Sequence, residues 1–330
     1  MELPFTADEV FSVNEQQFNA LALNLFRYQA TNNNIYKQYL GHIGVEPNRV
    51  EHFADIPFLP IELFKHKKIR TRGPYKGEVK YFSSSSTTGT GISKHYFQDV
   101  DWYHRSFEEG FDRIFGLNEI EIVALLPGYM ERSDSSLVYM VNSLMNKCNL
   151  EANAFYLREF EALESHLDKL QSQSRKTLLI GVAHDFIEML ARKKYHYPNL
   201  IILETGGMKG RKREMTRLEL HETICSGFGV STVFSEYGMT ELFSQAYSVG
   251  EGRFKCPPWM KVLIRERDDP FSISGHDKTG GINVIDLANV QSCGFIATSD
   301  LGRMRQNGEF EVLGRFDHSD VRGCSLLFAE

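Results

Sequence analysis

The stretch Val230-Ser-Thr-Val-Phe-Ser-Glu-Tyr-Gly-Met-Thr-Glu-Leu242 decides how the chain is read. The apolar run at 230–234 predicts a β-strand, and the residues after it predict a tight turn at Gly238 that opens into a helix. In open α/β sheets, ligands bind beyond the carboxyl ends of the parallel strands. Thr240 and Glu241 would stand at that mouth as one hydroxyl and one carboxylate. A carboxylate beside a phosphate site needs a divalent cation between the two charges, and Mg²⁺ suits that role. A capped helix start is the plainer alternative for the same residues.

Outward from this stretch, β-rich runs at 120–126, 177–182 and 200–203 alternate with helical spacing at 101–115, 136–145, 159–170, 184–193 and 212–226. That alternation predicts βαβ units and a largely parallel sheet. Beyond about residue 255 the helical patterns stop. Short runs at 259–265, 282–286, 295–299 and 310–313 predict a small antiparallel or barrel-like part. Upstream, apolar residues from Val10 to Phe26 recur at helical spacing and predict one helix over 8–32. A segment punctuated by Pro47, Pro57, Pro60 and Pro74 follows and reads as turns. The fold class is therefore α/β with a β-rich end.

With 330 residues and 42% hydrophobic content, the chain can bury one large core or two medium ones. A net charge of −6 leaves no basic excess to neutralise phosphates, which argues against a nucleic-acid partner. No apolar run approaches the length of a membrane span, and residues 1–10 carry three acidic side chains, unlike a secretory leader. The five cysteines are scattered with no C-x-x-C, which is neither a disulfide framework nor a zinc site. Together these features predict a cytoplasmic protein.

Three further motifs carry chemistry. Tyr81-Phe-Ser-Ser-Ser-Ser-Thr-Thr-Gly-Thr-Gly-Ile-Ser-Lys94 is a donor-rich loop suited to an anion. It lacks the second glycine of a P-loop and the third glycine of a dinucleotide fingerprint, so it would cradle phosphate in another way. Glu204-Thr-Gly-Gly-Met-Lys-Gly210 follows a strand, and its paired glycines allow a flat ring to lie on the backbone. Ala297-Thr-Ser-Asp-Leu-Gly302 and Leu313-Gly-Arg-Phe-Asp317 also follow short strands; their aspartate suits ribose hydroxyls and their arginine suits phosphate or ribose.

In this order, these motifs resemble the adenylate-forming superfamily of acyl-CoA ligases, luciferases and adenylation domains, over roughly residues 80–320. The resemblance implies the superfamily's large-domain fold, with parallel or mixed sheets flanked by helices, and it implies ATP and Mg²⁺ as cofactors. It places Thr87, Thr88, Gly89 and Lys94 in the phosphate loop, and Gly206 and Gly207 beside adenine, with Tyr237 stacking there and Gly238 in the turn. Thr240 would contact phosphate and Glu241 would hold Mg²⁺, both acting in catalysis. Asp300 would bind ribose, and Arg315 would reach ribose or phosphate from the hinge. Ser86 and Ser93 depart from the pattern, which has glycine and proline at those places. The implied organisation is one domain over 1–312, α/β to about 254 and β-rich over 255–312, with a hinge and short tail over 313–330. The chain ends fifteen residues after Arg315, so the superfamily's lid domain is expected to be missing or vestigial.

Tyr129-Met-Glu-Arg-Ser-Asp-Ser-Ser-Leu-Val-Tyr-Met140 and Arg322-Gly-Cys-Ser-Leu326 resemble the LuxE-type acyl-protein synthetases, a short branch of that superfamily. This implies that a fatty acid is activated with ATP, loaded on Cys324 and passed to a partner acyl reductase. Lys94, Arg303 and Arg305 are the candidates for the charge that the lid lysine usually supplies. The acyl pocket is expected among 125–130, 138–144 and 180–186, with His184 a candidate to face it. Two rival readings are a CoA ligase for a small or aryl acid that lacks its lid, and a catalytically weak acyl-binding or partner-interaction protein.

Overall fold

The computed structural model describes residues 2–84, 91–126, 134–148, 153–206 and 215–316. The expected N-terminal helix is two helices, α1 (Ala7–Phe11) and α2 (Glu15–Asn32). The break falls at Asn14, whose side chain accepts from the Gln17 N–H while the Gln17 side chain reaches back to the Asn14 N–H. That reciprocal cap starts a new helix and outweighs the continuous apolar spacing. Asn33 caps a third helix, α3 (Asn34–His42), its side chain accepting from the Ile35 and Tyr36 N–H groups. After it come β1 (Leu59–Pro60), α4 (Leu63–His66) and a hairpin of β2 (Lys80–Ser83) and β3 (Lys94–Phe97).

The α/β part is α5 (Asp101–Phe115), β4 (Glu121–Leu125), α6 (Ser136–Cys148), β5 (Ala154–Tyr156), α7 (Phe160–Ser172), β6 (Thr177–Gly181), α8 (Ala183–Leu190), β7 (Ile201–Glu204), α9 (Arg217–Phe228) and β8 (Phe234–Tyr237). The strands run parallel in the order β5-β4-β6-β7-β8. Each residue of β4 is buried, because helices cover both faces of the sheet. Ile122 and Ala124 point into one core with Phe107 and Val141, while Val123 and Leu125 point into a second with Leu163 and Phe228. Alternation along the strand thus divides the apolar residues between two layers.

Among the described residues no helix follows β8. The chain turns at 239–245 and returns as the antiparallel β9 (Ala246–Ser248), followed by β10 (Arg253–Lys255), β11 (Met260–Arg265), β12 (Thr279–Asp286), β13 (Phe295–Met304) and β14 (Phe310–Arg315). The buried Asp286 carboxylate explains the turn: it accepts from the Phe243 and Ser244 N–H groups at 2.8 and 3.0 Å and from the Ser244 hydroxyl at 2.6 Å. The β-rich end is not a separate sheet. Through β9 and β10 it continues the parallel sheet, in the order β8-β9-β10-β14-β13-β12-β11. The expected hinge at 313 lies within β14, which pairs with β13 as far as Arg315. Helix α2 packs on this end, where the Gln29 side chain donates to the Asn289 carbonyl and accepts from the Gly294 N–H.

Candidate active site

The carboxyl end of β8 and the strand pair β13–β14 meet at one place. Tyr237 closes β8, and its hydroxyl donates to Asp300 Oδ2 at 3.0 Å. Arg315, opposite Asp300 in the register, donates through Nε to Oδ1 at 3.1 Å. A carboxylate accepts about four hydrogen bonds, so Asp300 keeps acceptor capacity after both contacts. The Tyr237 ring is buried edge-on against Phe254 and Phe310.

Glu241 lies in the next turn and is buried. Burial raises its pKa; a hydrogen bond from the Ser93 side chain and the charge of Arg315 work against that rise, while Asp300 adds to it. Ser93 stands where the superfamily pattern has proline, and here its hydroxyl takes a definite role at the carboxylate. The turn's backbone is held from beneath. The Thr240 carbonyl lies 2.8 Å from His95 Nδ1, the His95 Nε2 lies 3.0 Å from the Asn289 side-chain oxygen, and Asn289 Nδ2 donates to the Glu241 carbonyl. Sequence reading missed His95, Asp286 and Asn289. The last two carried a signal: with Asn283 they are the polar residues in the mostly apolar run 282–290.

Gly206, two residues after β7, has a φ of +75°, and no atom of the described residues lies within 4 Å of a Cβ built there. Its place therefore asks for glycine through backbone conformation and leaves open space above it. Its N–H donates to Glu204 Oε2 at 2.6 Å. Burial raises the Glu204 carboxyl, but His221, Arg217, Ser235 and Gly206 together outweigh that and hold its pKa below the usual value. Gly238 differs from Gly206. Its φ is not positive, but a Cβ there would fall 2.1 Å from Glu236 Oε1. A side chain at this place would need the Glu236 carboxyl to shift, whereas the turn itself does not demand glycine.

Thr240, Glu241, Tyr237, Gly238, Asp300 and Arg315 are thus brought together, and Gly206 closes the neighbouring strand. Lys94 is not in that group. It occupies the face of β3 opposite Ser93 and His95, and its ammonium sits 4.5 Å above the Tyr81 ring. Arg303 and Arg305 are committed to Glu311 and Asp277. Thr87, Thr88, Gly89, Gly207 and Cys324 lie outside the described residues.

A cavity of about 250 Å³ adjoins the turn. Leu126, Val138, Met140 and Val182 line it, as the sequence suggested, together with Ser83, Glu236, Gly238 and Thr240. His184 does not line it; it begins α8 and pairs with Glu188 at 3.4 Å. Among the described residues, His184, Asp185 and Glu188 are also the one grouping of three side chains able to converge on an ion. Arg158 reaches both carboxylates there, at 4.0 and 3.7 Å, so a cation would compete with a guanidinium. No described helix is long and apolar enough to cross a membrane.

The family model described as acyl-protein synthetase, LuxE, matches residues 4–330. No curated protein matches the chain significantly. Among solved structures, ATP-bound MatB from Rhodopseudomonas palustris aligns at 16% identity and a TM-score of 0.55, over 71% of this chain and 47% of that one. The chain therefore spans about half the length of that relative. A 2-hydroxyisobutyryl-CoA ligase in complex with 2-HIB-AMP and CoA aligns at 10% identity and a TM-score of 0.67, over 92% of this chain and 70% of that one. At such identities the likeness establishes the fold, the large-domain fold of adenylate-forming ligases.

Proposed function

Because the chain belongs to the LuxE acyl-protein synthetase family, we propose that it activates a carboxylic acid with ATP and then passes the acyl group to a thiol of its own. The observation that carries this reading is the meeting of the Tyr237–Glu241 turn with Asp300 and Arg315 at the carboxyl end of the sheet. In the first step a carboxylate oxygen of the acid attacks the α-phosphorus of ATP, the α–β P–O bond breaks and pyrophosphate leaves. Thr240 contacts the phosphates, Asp300 accepts from the ribose hydroxyls and Arg315 faces the ribose or phosphate. The open backbone at Gly206 leaves space for the flat face of adenine.

Glu241 would suit a Mg²⁺ ligand, since it is a buried carboxylate whose side-chain partner among the described residues is the Ser93 hydroxyl. Mg²⁺ held there would supply positive charge against the phosphates.

In the second step a thiolate sulfur attacks the acyl carbon, the bond to the adenylate oxygen breaks and AMP leaves. Cys324 is our candidate, on the family resemblance of its Arg-Gly-Cys-Ser setting. The four described thiols support it indirectly. Burial pushes Cys148 up to about 11 and Cys256 and Cys293 up to about 12, and it raises Cys225, so none is poised as a thiolate. The family also points to a fatty acid as substrate and to an acyl reductase as the recipient of the acyl group.

ATP–pyrophosphate exchange across short, long and aromatic acids tests the first step. Exchange should depend on both acid and Mg²⁺, and Glu241→Ala should lower it by about 100-fold or more at limiting Mg²⁺. Exchange without acid, or an undiminished rate in the variant, would refute the assignment.

A further inference from the structure

Four carboxyl groups are packed into the region behind the turn, and three of them have partners. Glu204 has Arg217 at 2.9 Å, the Gly206 N–H and His221. Asp286 takes the Phe243, Ser244 and Ala288 N–H groups and the Ser244 hydroxyl. Glu241 has Ser93. The fourth, Glu236 on β8, has no hydrogen-bond donor or cation among the described residues. It lines the 250 Å³ cavity beside Ser83, Ser135, Ser136 and Gln245. Its carboxyl group sits against the bare Cα of Gly238, at the cavity end that Thr240 also lines.

Glu236 is half-buried at the cavity wall, and a carboxyl set there without a protein donor is placed to meet what enters the cavity. Desolvation at that wall, with the Glu204 carboxylate nearby, pushes Glu236 up to about 8. Near neutral pH the group therefore carries a proton and both donates and accepts. A glutamate that served only to fill space would be replaced at no loss by an apolar side chain. At Gly238 the carboxyl lies where a Cβ would stand, so a larger residue there would make the Glu236 side chain shift.

We infer that the cavity selects an acid bearing a hydrogen-bond donor, a hydroxyl or an amino group, on the carbons next to its carboxylate, and that Glu236 is the residue that reads it. The position of that donor rests on the adenylation reading above, which puts the reacting carboxylate against the α-phosphate on the Thr240 side of the cavity. An unsubstituted chain end would leave the carboxyl unpaired, whereas a hydroxyl or amine completes it. Sites built to pair such a group discriminate strongly against analogues that lack it.

The test compares butanoate and octanoate with their 2-hydroxy, 3-hydroxy and 2-amino counterparts in pyrophosphate exchange. One substituted acid of each length should exceed its parent in kcat/KM by at least about 10-fold. Glu236→Leu should bring that ratio to within about 3-fold of unity, and Glu236→Gln, which still hydrogen-bonds, should retain part of it. Thermal melting checks that both variants are folded. Ligand-observed NMR of the same acids, which needs no turnover, separates the two claims. Donor-dependent binding that Glu236→Leu abolishes, in a protein with no exchange activity, supports this inference and defeats adenylation. Exchange with equal rates for parent and substituted acids, or a ratio unmoved in Glu236→Leu, overturns this inference and leaves adenylation standing. Absence of both exchange and donor-dependent binding overturns both.

Discussion

Glu236 and Glu241 are five residues apart in one motif, yet they differ in what a sequence reader can see. Glu241 stood out in the sequence as a carboxylate just past a strand, and the structure buries it in that turn. Glu236 was not, since its meaning depends on which face of β8 it occupies and on what else lines that space. Gly238 has no positive φ, and what stands in the place of a Cβ there is the end of the Glu236 side chain, which only the fold brings to it. The ionisation of Glu236 gives a prediction that involves no substrate. In the unfolded chain its carboxyl loses its proton near the ordinary 4.5, whereas in the folded protein it keeps it to about 8. The folded state therefore binds more protons in that window, and stability falls as pH rises through it. Glu204 on β7, Tyr103 on α5 and Tyr247 on β9 are the titratable groups that face it. Melting curves of the wild type and Glu236→Gln should diverge from about pH 4.5 to about pH 8, with the variant gaining, and run parallel above. A constant difference across that range would show that Glu236 ionises normally in the folded protein.

At the scale of elements, helix and strand alternation placed the parallel sheet well, and α5 fell at 101–115 as expected. The failures share a cause. The helix expected after Tyr237 gave way because Asp286, more than forty residues later, collects the N–H groups of 243 and 244. The helix expected over 8–32 broke at a cap whose reciprocal bonds outrank apolar periodicity. Local pattern cannot reveal a partner brought in by the fold. Asp286→Ala tests how far that one carboxylate shapes the turn. Each buried donor left unpaired costs about 1–3 kcal/mol, so the variant should lose roughly 3–5 kcal/mol in urea unfolding. Asp286→Asn, which keeps one acceptor oxygen, should lose less. A loss below about 1 kcal/mol in Asp286→Ala would mean that the turn is fixed by its neighbours instead.

For the molecule as a whole, the order of motifs along the chain was the most informative feature of the sequence. It brought together residues from 237 to 315 that the fold places within hydrogen-bonding distance. What remained hidden was continuity: the β-rich end extends the parallel sheet, so the turn after β8 and the β13–β14 pair are parts of one framework. Ser93 and His95, on one face of β3, join the hairpin to that framework at Glu241 and Thr240. On the proposed reading this site holds a nucleotide and an acid side by side, and the chemistry ends with the acyl group on the protein itself. Incubation with ATP, Mg²⁺ and a radiolabelled acid that supports pyrophosphate exchange is the most direct measurement. Hydroxylamine-labile label should appear on the wild-type protein, and Cys324→Ser should lose it while keeping exchange. An unlabelled wild type that still exchanges pyrophosphate, or one that forms its thioester only on added CoA, would contradict the assignment.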